Sequence, residues 1–289
     1  MNLIDSSYTI HSQYGEDGII EAIIAKFPST DGWCVEFGAW DGIYLSNTRA
    51  LIENKGYKAV LIEAQAASFS KLKTNCSQFR GVIALQAFVG FSPADGLDSI
   101  LRKTPCPLDF DFLSIDVDGN DIHIWRAMTT YRPKLVCIEY NPTVPTGVQF
   151  EQKPDPRVNQ GCSLSTLVQL GKDKGYELVC VNHANAFFVT NELFSLFEIR
   201  DNSAAALRPF DAARVMVFSG YDGTLLFSDK LSLHWHGLEV PSTEVQPMPK
   251  ILRKYPLNYS SAERFLFKGF RIFLKLKARL RNGRFNSNE

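Results

Sequence analysis

The 289-residue chain lacks the features that would assign it quickly. It has no excess of charge, since lysine plus arginine and aspartate plus glutamate both number 31. That balance removes any whole-chain argument for nucleic acid as a partner. Its six cysteines (Cys34, Cys76, Cys106, Cys137, Cys162, Cys180) never stand at C-x-x-C spacing, so neither a zinc site nor a redox motif is indicated. Several fall inside apolar runs, where a reduced, buried thiol is the ordinary state, and this predicts a reducing compartment. No uninterrupted apolar run reaches the ~18 residues of a membrane span. Met1 to His11 is polar and has no signal-peptide core. Internal repeats and low-complexity tracts are absent. Together these absences predict a cytoplasmic globular protein.

What remains is an ordinary composition, 45% hydrophobic and 21% charged, on a chain long enough for one large α/β domain plus an appendage. Ser12 reads as the N-cap of a first helix, whose stripe is Ile19, Ile20, Ile23, Ile24 and Phe27. Seven strands then follow, at Trp33 to Phe37, Ala59 to Glu63, Val82 to Val89, Phe110 to Val117, Lys134 to Glu139, Tyr176 to Val181 and Ala186 to Val189. Helices are predicted over Ser46 to Lys55, Ala67 to Gln78, Asp121 to Thr129 and Ser163 to Lys174. Valine-, isoleucine- and leucine-rich strands alternating with helices predict a doubly wound, mostly parallel seven-stranded α/β sheet covered on both faces. Three regions are expected: 1–30 covering the ligand site, 31–240 as the sheet domain, and 241–289 as linker and C-terminal helix.

In such sheets ligands bind beyond the carboxyl ends of the strands. Strand one ends in Val35-Glu36-Phe37-Gly38-Ala39-Trp40-Asp41-Gly42, an E-x-G-x-x-x-G turn. Its glycines let the backbone approach a ligand that a Cβ would repel, and its acid suits a cationic group. The plain alternative is a strand-to-helix turn with no ligand. Strand two ends in Glu63-Ala64, a carboxylate able to accept both hydroxyls of a ribose, or else simply a solvated one. G-x-G-x-x-G is missing, and a carboxylate at the turn would repel a pyrophosphate. S-adenosylmethionine (SAM), with a sulfonium and no phosphate, fits better. Strand four ends in Asp116-Val117-Asp118-Gly119-Asn120-Asp121, and strand five brings Glu139 to the same edge. Carboxylates so crowded repel unless a cation lies among them. Asp116, Asp118 and Glu139 therefore form a candidate site for Mg²⁺ or another divalent metal. Asp116 or Glu139 is otherwise a direct general base, while Asp118 or Asp121 has the alternative of capping the next helix. His183, between the last two strands, is a third candidate base or a structural hydrogen bonder.

On these residues the chain resembles the FkbM-like branch of the class I SAM-dependent methyltransferases. The resemblance runs from about His11 to Val189. It rests on Ser12-Gln13-Tyr14-Gly15-Glu16-Asp17-Gly18, the Glu36 to Gly42 turn, Leu61 to Ala64, and Ile115 to Asp121. The family's last motif reads I-D-V-E-G-x-E, and here aspartates stand at 118 and 121. The resemblance implies a class I methyltransferase fold of Rossmann-like type and O-methylation, often of sugars or secondary metabolites. It implies that Glu36, Gly38 and Gly42 shape the methionine and ribose side of a SAM pocket, that Glu63 binds the ribose, and that Asp116 lies near the methyl group. The predicted cofactor set is Gln13, Glu16, Glu36, Gly38, Ala39, Asp41, Gly42, Glu63, Ala64 and Asp116. Gln13 and Glu16 enter through a helix start folded over the cofactor mouth, the alternative being a capped surface helix. The competing readings are a nicotinamide-dependent oxidoreductase and a non-catalytic scaffold.

Beyond Asn191 the pattern weakens. His234-Trp235-His236 has metal-like spacing on a predicted strand, but no third ligand lies near it in sequence. Pro241, Pro247, Pro249 and Pro256 mark a linker. Ser261 to Arg281 is a basic amphipathic helix, suited to an anionic membrane surface or a partner protein; docking on its own domain is the alternative. A peripheral position at the inner face of a membrane would fit a sugar or glycan acceptor.

Overall fold

A computed structural model describes residues 2–208 and 215–285, with side chains through 279. The described chain forms two compact units, Met1–Ala213 and Arg214–Glu289. This division falls earlier than the 240/241 boundary expected from sequence, and residues 1–30 belong to the same unit as the sheet.

The first unit is built on seven strands: β1 (Trp33–Phe37), β2 (Lys58–Glu63), β3 (Val82–Gln86), β4 (Phe112–Ile115), β5 (Leu135–Glu139), β6 (Tyr176–Val181) and β7 (Asn185–Thr190). Their order is β3-β2-β1-β4-β5-β7-β6. All neighbours are parallel except that β7 runs antiparallel to both β5 and β6. The doubly wound, mostly parallel sheet read from the sequence is therefore present. Strand order reverses between β1 and β4, which makes their carboxyl ends the topological switch point.

Alternate strand residues supply two cores. Val35, Val60, Leu113, Val136 and Phe188 pack beneath α4 (Leu97–Leu101), α5 (Asp121–Ala127) and α6 (Leu164–Asp173). Cys34, Ala59, Leu61, Phe112, Cys137 and Phe187 pack beneath α1 (Glu16–Ile24), α2 (Arg49–Lys55) and α3 (Ala66–Cys76). Burial on both faces explains why these strands read as continuous apolar runs. Trp125 of α5 is fully buried, with Tyr176 edge-on at 5.6 Å and Phe188 at 5.1 Å. At the amino edge of the sheet, the wholly buried Asp111 pairs with Lys134 Nζ at 2.8 Å and accepts the backbone N–H groups of Asp31 and Gly32.

Several element boundaries differ from the sequence reading, and side-chain hydrogen bonds account for two of them. α1 starts at Glu16, after Gly15 at φ +87°, rather than just past Ser12. Ser12 Oγ still accepts an N–H, that of Asp17, whose carboxylate collects the N–H groups of Ile10, His11 and Ser12. α2 begins at Arg49 instead of Ser46 because residues 46–48 are bound to Glu36. The strands predicted over Val82 to Val89 and Phe110 to Val117 are shorter, and α4 between them had no counterpart in the reading. Short turns α7 (Asn191–Phe194) and α8 (Ala204–Leu207) complete the unit.

The second unit holds two small hairpins, β8 (Val217–Ser219) with β9 (Leu225–Phe227) and β10 (Ser232–Leu233) with β11 (Leu238–Glu239), then α9 (Ser242–Val245) and α10 (Ser261–Phe285). His234 to His236 is a 3-10 turn, not the predicted strand. Among the described residues no helix is long and apolar enough to cross a membrane.

Candidate functional site

At the switch point, Gly38 adopts φ +74°, and a Cβ there would lie 2.0 Å from the Asp116 carbonyl oxygen. Only glycine lets the β1 turn close onto the end of β4. The turn continues along β2, with Ala39 N–H donating to Ile62 O and Trp40 N–H to Glu63 Oε2 at 2.9 Å. Glu63 Oε1 accepts Gln65 N–H at 2.7 Å. Each oxygen of this carboxylate keeps a lone pair, which a ribose diol could use. Ala64 beside it is exposed. Asp41 folds into its own turn, accepting the N–H groups of Ile43 and Tyr44. Gly42, at φ +75°, presses on Leu72, where a Cβ would come within 2.6 Å of Cδ1. The buried Arg49 clamps this turn by donating to Gly42 O and Asn75 O.

Glu36 is buried and accepts three hydrogen bonds, from Ser46 Oγ (2.7 Å), Asn47 N–H (2.8 Å) and Thr48 Oγ1 (2.6 Å). It holds the 46–48 loop against the end of β1. Burial outweighs these donors and raises its pKa. Trp40, Leu45 and Asp118 all have positive φ, at 46°, 57° and 55°. These three unfavourable backbone states lie in the loops after β1 and β4; a fourth, Glu198 at φ 54°, lies elsewhere in the chain.

The end of β4 is shaped by Asp121, whose carboxylate accepts the N–H groups of Val117 and Gly119, each at 2.8 Å. This brace, which replaces simple helix capping, fixes the backbone carrying Asp116 and Asp118. Oxygens of Asp116, Asp118 and Glu139 lie within 4.8 Å of one another. None of the three forms an ion pair with a described residue. Burial, followed by the charges of Asp116, Asp121 and Asp118, pushes Glu139 up to about 10. Solvent reaches Asp116, yet the closely surrounding protein, then Asp121 and Asp118, raises it well above the usual carboxylate range. Asp121 is pushed up to about 6, with burial overriding its two N–H donors. In each case burial is the larger cause, and the charges of the neighbouring carboxylates add to it.

One side of the rim is walled by the segment before α1. Glu16 accepts hydrogen bonds from Tyr14 N–H (2.6 Å), Asn182 Nδ2 (2.7 Å) and Asn185 Nδ2 (2.9 Å). It pins the start of α1 to the β6–β7 hairpin. The Tyr14 ring packs on His183 at 4.6 Å. Tyr14 titrates high because of burial, then the charges of Glu16 and Glu139, which places its ring within electrostatic reach of the rim. Asn185 sits opposite Glu139 in the β5–β7 pairing, and its Oδ1 is buried without a partner. Gln13 is exposed.

The structure thus brings Glu36, Gly38, Ala39, Asp41, Gly42, Glu63, Ala64, Asp116, Asp118 and Glu139 to one edge, with Glu16 and His183 on the flanking wall. Sequence reasoning gave no role to Arg49, Ser46, Asn47, Thr48, Tyr14 or Asn182. The available signal was the polar Ser46-Asn47-Thr48 run after an acidic strand end.

These features define a doubly wound α/β protein with an acidic, glycine-turned edge at its switch point. No family model matches the chain, and no curated protein does. Solved structures similar to it include a SAM dependent methyltransferase from Aquifex aeolicus (14% identity, 58% of this chain and 87% of that one, TM-score 0.35). Another is the N-terminal domain of EvdMO1 with SAH bound (13%, 61% and 80%, TM-score 0.39). A third is M. jannaschii TYW2 in complex with AdoMet (15%, 63% and 79%, TM-score 0.36).

Proposed function

We propose that this chain is a SAM-dependent O-methyltransferase acting on a sugar hydroxyl in glycan or polysaccharide biosynthesis. The observation that carries the reading is the convergence of Asp116, Asp118 and Glu139, none of which forms an ion pair among the described residues, beside a turn that Gly38 closes. An electropositive ligand relieves the repulsion, whereas the pyrophosphate of a nicotinamide cofactor would add to it. Glu63, with a lone pair left on each oxygen, would take the ribose hydroxyls. Glu36 supports the pocket through the 46–48 loop that it holds.

SAM supplies a methyl group on a sulfonium, so that an acceptor oxygen bonds to the methyl carbon as the carbon–sulfur bond breaks and its electrons pass to sulfur. The chain's task is to hold the acceptor in line and to take the hydroxyl proton. Asp116, Glu139 and His183 are the candidate proton acceptors; the two carboxyls, whose pKa values are raised, can act so only once a cation beside them has lowered those values. The oxygen-only donor set of Asp116, Asp118 and Glu139 also fits a hard divalent cation such as Mg²⁺. Such an ion would supply Lewis acidity to a bound hydroxyl.

The test is incubation of the purified chain with methyl-labelled SAM and a glycan extract, with and without chelator. Label in a carbohydrate ether supports the reading, and loss of that label with chelator supports the metal. Asp116→Ala and Glu36→Ala should each abolish turnover. Calorimetric binding of NAD but not of S-adenosylhomocysteine (SAH) overturns the proposal.

A further inference from the structure

We propose that the open face of α10 docks on an anionic lipid bilayer, an inference independent of the methyl-transfer reading. α10 runs over Ser261–Phe285. One stripe, made of Phe267, Phe270 and Leu274, is half-buried or at the edge of exposure. Phe267 packs on the Tyr259 ring at 5.5 Å, Arg264 Nε donates to Tyr259 O, and Glu263 pairs with Lys254. The amino end of the helix is therefore held by the segment before it.

A second apolar stripe has no such cover. Phe265 (78% exposed), Ile272 (60%), Phe273 (57%), Leu276 (53%) and Leu266 (51%) all lie open. At 3.6 residues per turn these five fall within an arc of about 120°, running about 17 Å along the axis. Arg264, Lys268, Arg271, Lys275 and Arg279 fall on the arc adjoining one edge, and Lys277 lies at the other. From Arg264 to Arg279 the sequence contains no acidic residue.

A strip of large apolar side chains edged by cations matches the interfacial plane of an acidic bilayer. The aromatics enter the acyl boundary, while lysine and arginine extend to the headgroups. A protein partner would need an apolar groove and an acidic strip at one fixed register, whereas a leaflet of anionic lipid presents both at every register. The described helix is too polar to span a membrane, so it would lie in the surface.

The full chain is mixed with phosphatidylcholine vesicles, or with vesicles in which phosphatidylserine replaces about one-third of the lipid, and bound protein is measured by co-sedimentation. Binding should be at least about tenfold tighter to the anionic vesicles and should weaken with salt. The Lys268→Gln/Arg271→Gln/Lys275→Gln variant should bind about 100-fold more weakly. Phe265→Ser/Phe273→Ser should lose binding while keeping its far-ultraviolet circular dichroism; if that variant unfolds, the charge variant decides. Failure to bind anionic vesicles, equal binding to both compositions, or unchanged binding by the charge variant overturns the proposal. Concentration-dependent self-association that Phe265→Ser/Phe273→Ser removes, without vesicle binding, overturns it in favour of a second copy of the chain.

Discussion

Gly38 and Glu36 stand two residues apart on one turn and fail for different reasons when changed. At Gly38 any Cβ meets the Asp116 carbonyl, and φ is positive as well. Gly38→Ala must push β1 away from β4, at a cost of about 2 kcal/mol or more. We expect a lower urea midpoint together with loss of SAH binding in calorimetry. Retained SAH binding at wild-type affinity would mean that the ligand does not use this turn. Glu36 answers to hydrogen bonding and pH. Glu36→Ala strands three buried donors and should cost about 2–3 kcal/mol, whereas Glu36→Gln keeps an acceptor for Asn47 N–H and should stay within about 1 kcal/mol. The folded pKa of Glu36 is raised above its ordinary 4.5. The native state thus holds this proton after the unfolded chain has released it. Its stabilising contribution is complete below about 4.5 and is lost as pH rises through the folded value. Urea titrations from pH 4.5 upward should therefore show Glu36→Gln with a flatter decline than wild type. Parallel profiles for the two proteins would contradict the assignment.

The elements show which parts of this architecture could be read in advance. β1, β5 and β6 were legible because strands buried on both faces are mainly apolar runs, interrupted here only by Glu36, Glu139 and Glu177. The candidate rim was legible in part, because Glu36, Glu63, Asp116 and Glu139 each follow such a run, and sheet geometry sends those ends to one edge. The starts of α1 and α2 were not, since they depend on Asp17 gathering three N–H groups and Glu36 gathering three donors, and helical periodicity carries no record of either. Nor was the wall on the rim. Glu16 reaches Asn182 and Asn185 across 166 and 169 residues, a pairing that no local pattern encodes. The amino edge of the sheet has a comparable hidden fastening in Lys134, whose ammonium meets Asp111 and Asp31. Lys134→Met leaves Asp111 fully buried and without its cation, and removing one partner of such a pair costs about 3 kcal/mol. Chemical denaturation should show that loss, while the circular dichroism of the native state stays unchanged. A loss below about 1 kcal/mol would assign the anchoring of Asp111 to the Asp31 and Gly32 N–H groups instead.

At the scale of the whole chain, charge and compactness divide unevenly. From Ser261 onward there are eight basic residues and two acidic ones, so the neutral total conceals an excess of six acids in residues 1–260. The chain also forms two compact units, and all the rim carboxylates belong to the first. A ligand stabilises only the cooperative unit that binds it, by RT ln(1 + [L]/Kd), or about 2.7 kcal/mol at a hundredfold excess over Kd. For a unit of this size that corresponds to a rise in Tm of about 5–10 °C. Scanning calorimetry with SAH should therefore move the transition of Met1–Ala213, and Asp116→Ala should abolish the movement. A transition assigned to Arg214–Glu289 should stay where it is in both proteins. If SAH moved that second transition and left the first in place, the cofactor site would have to be sought away from the sheet edge. A single transition that shifted as a whole would instead show that the two units unfold together, and the Asp116→Ala comparison would still report whether the rim binds the ligand.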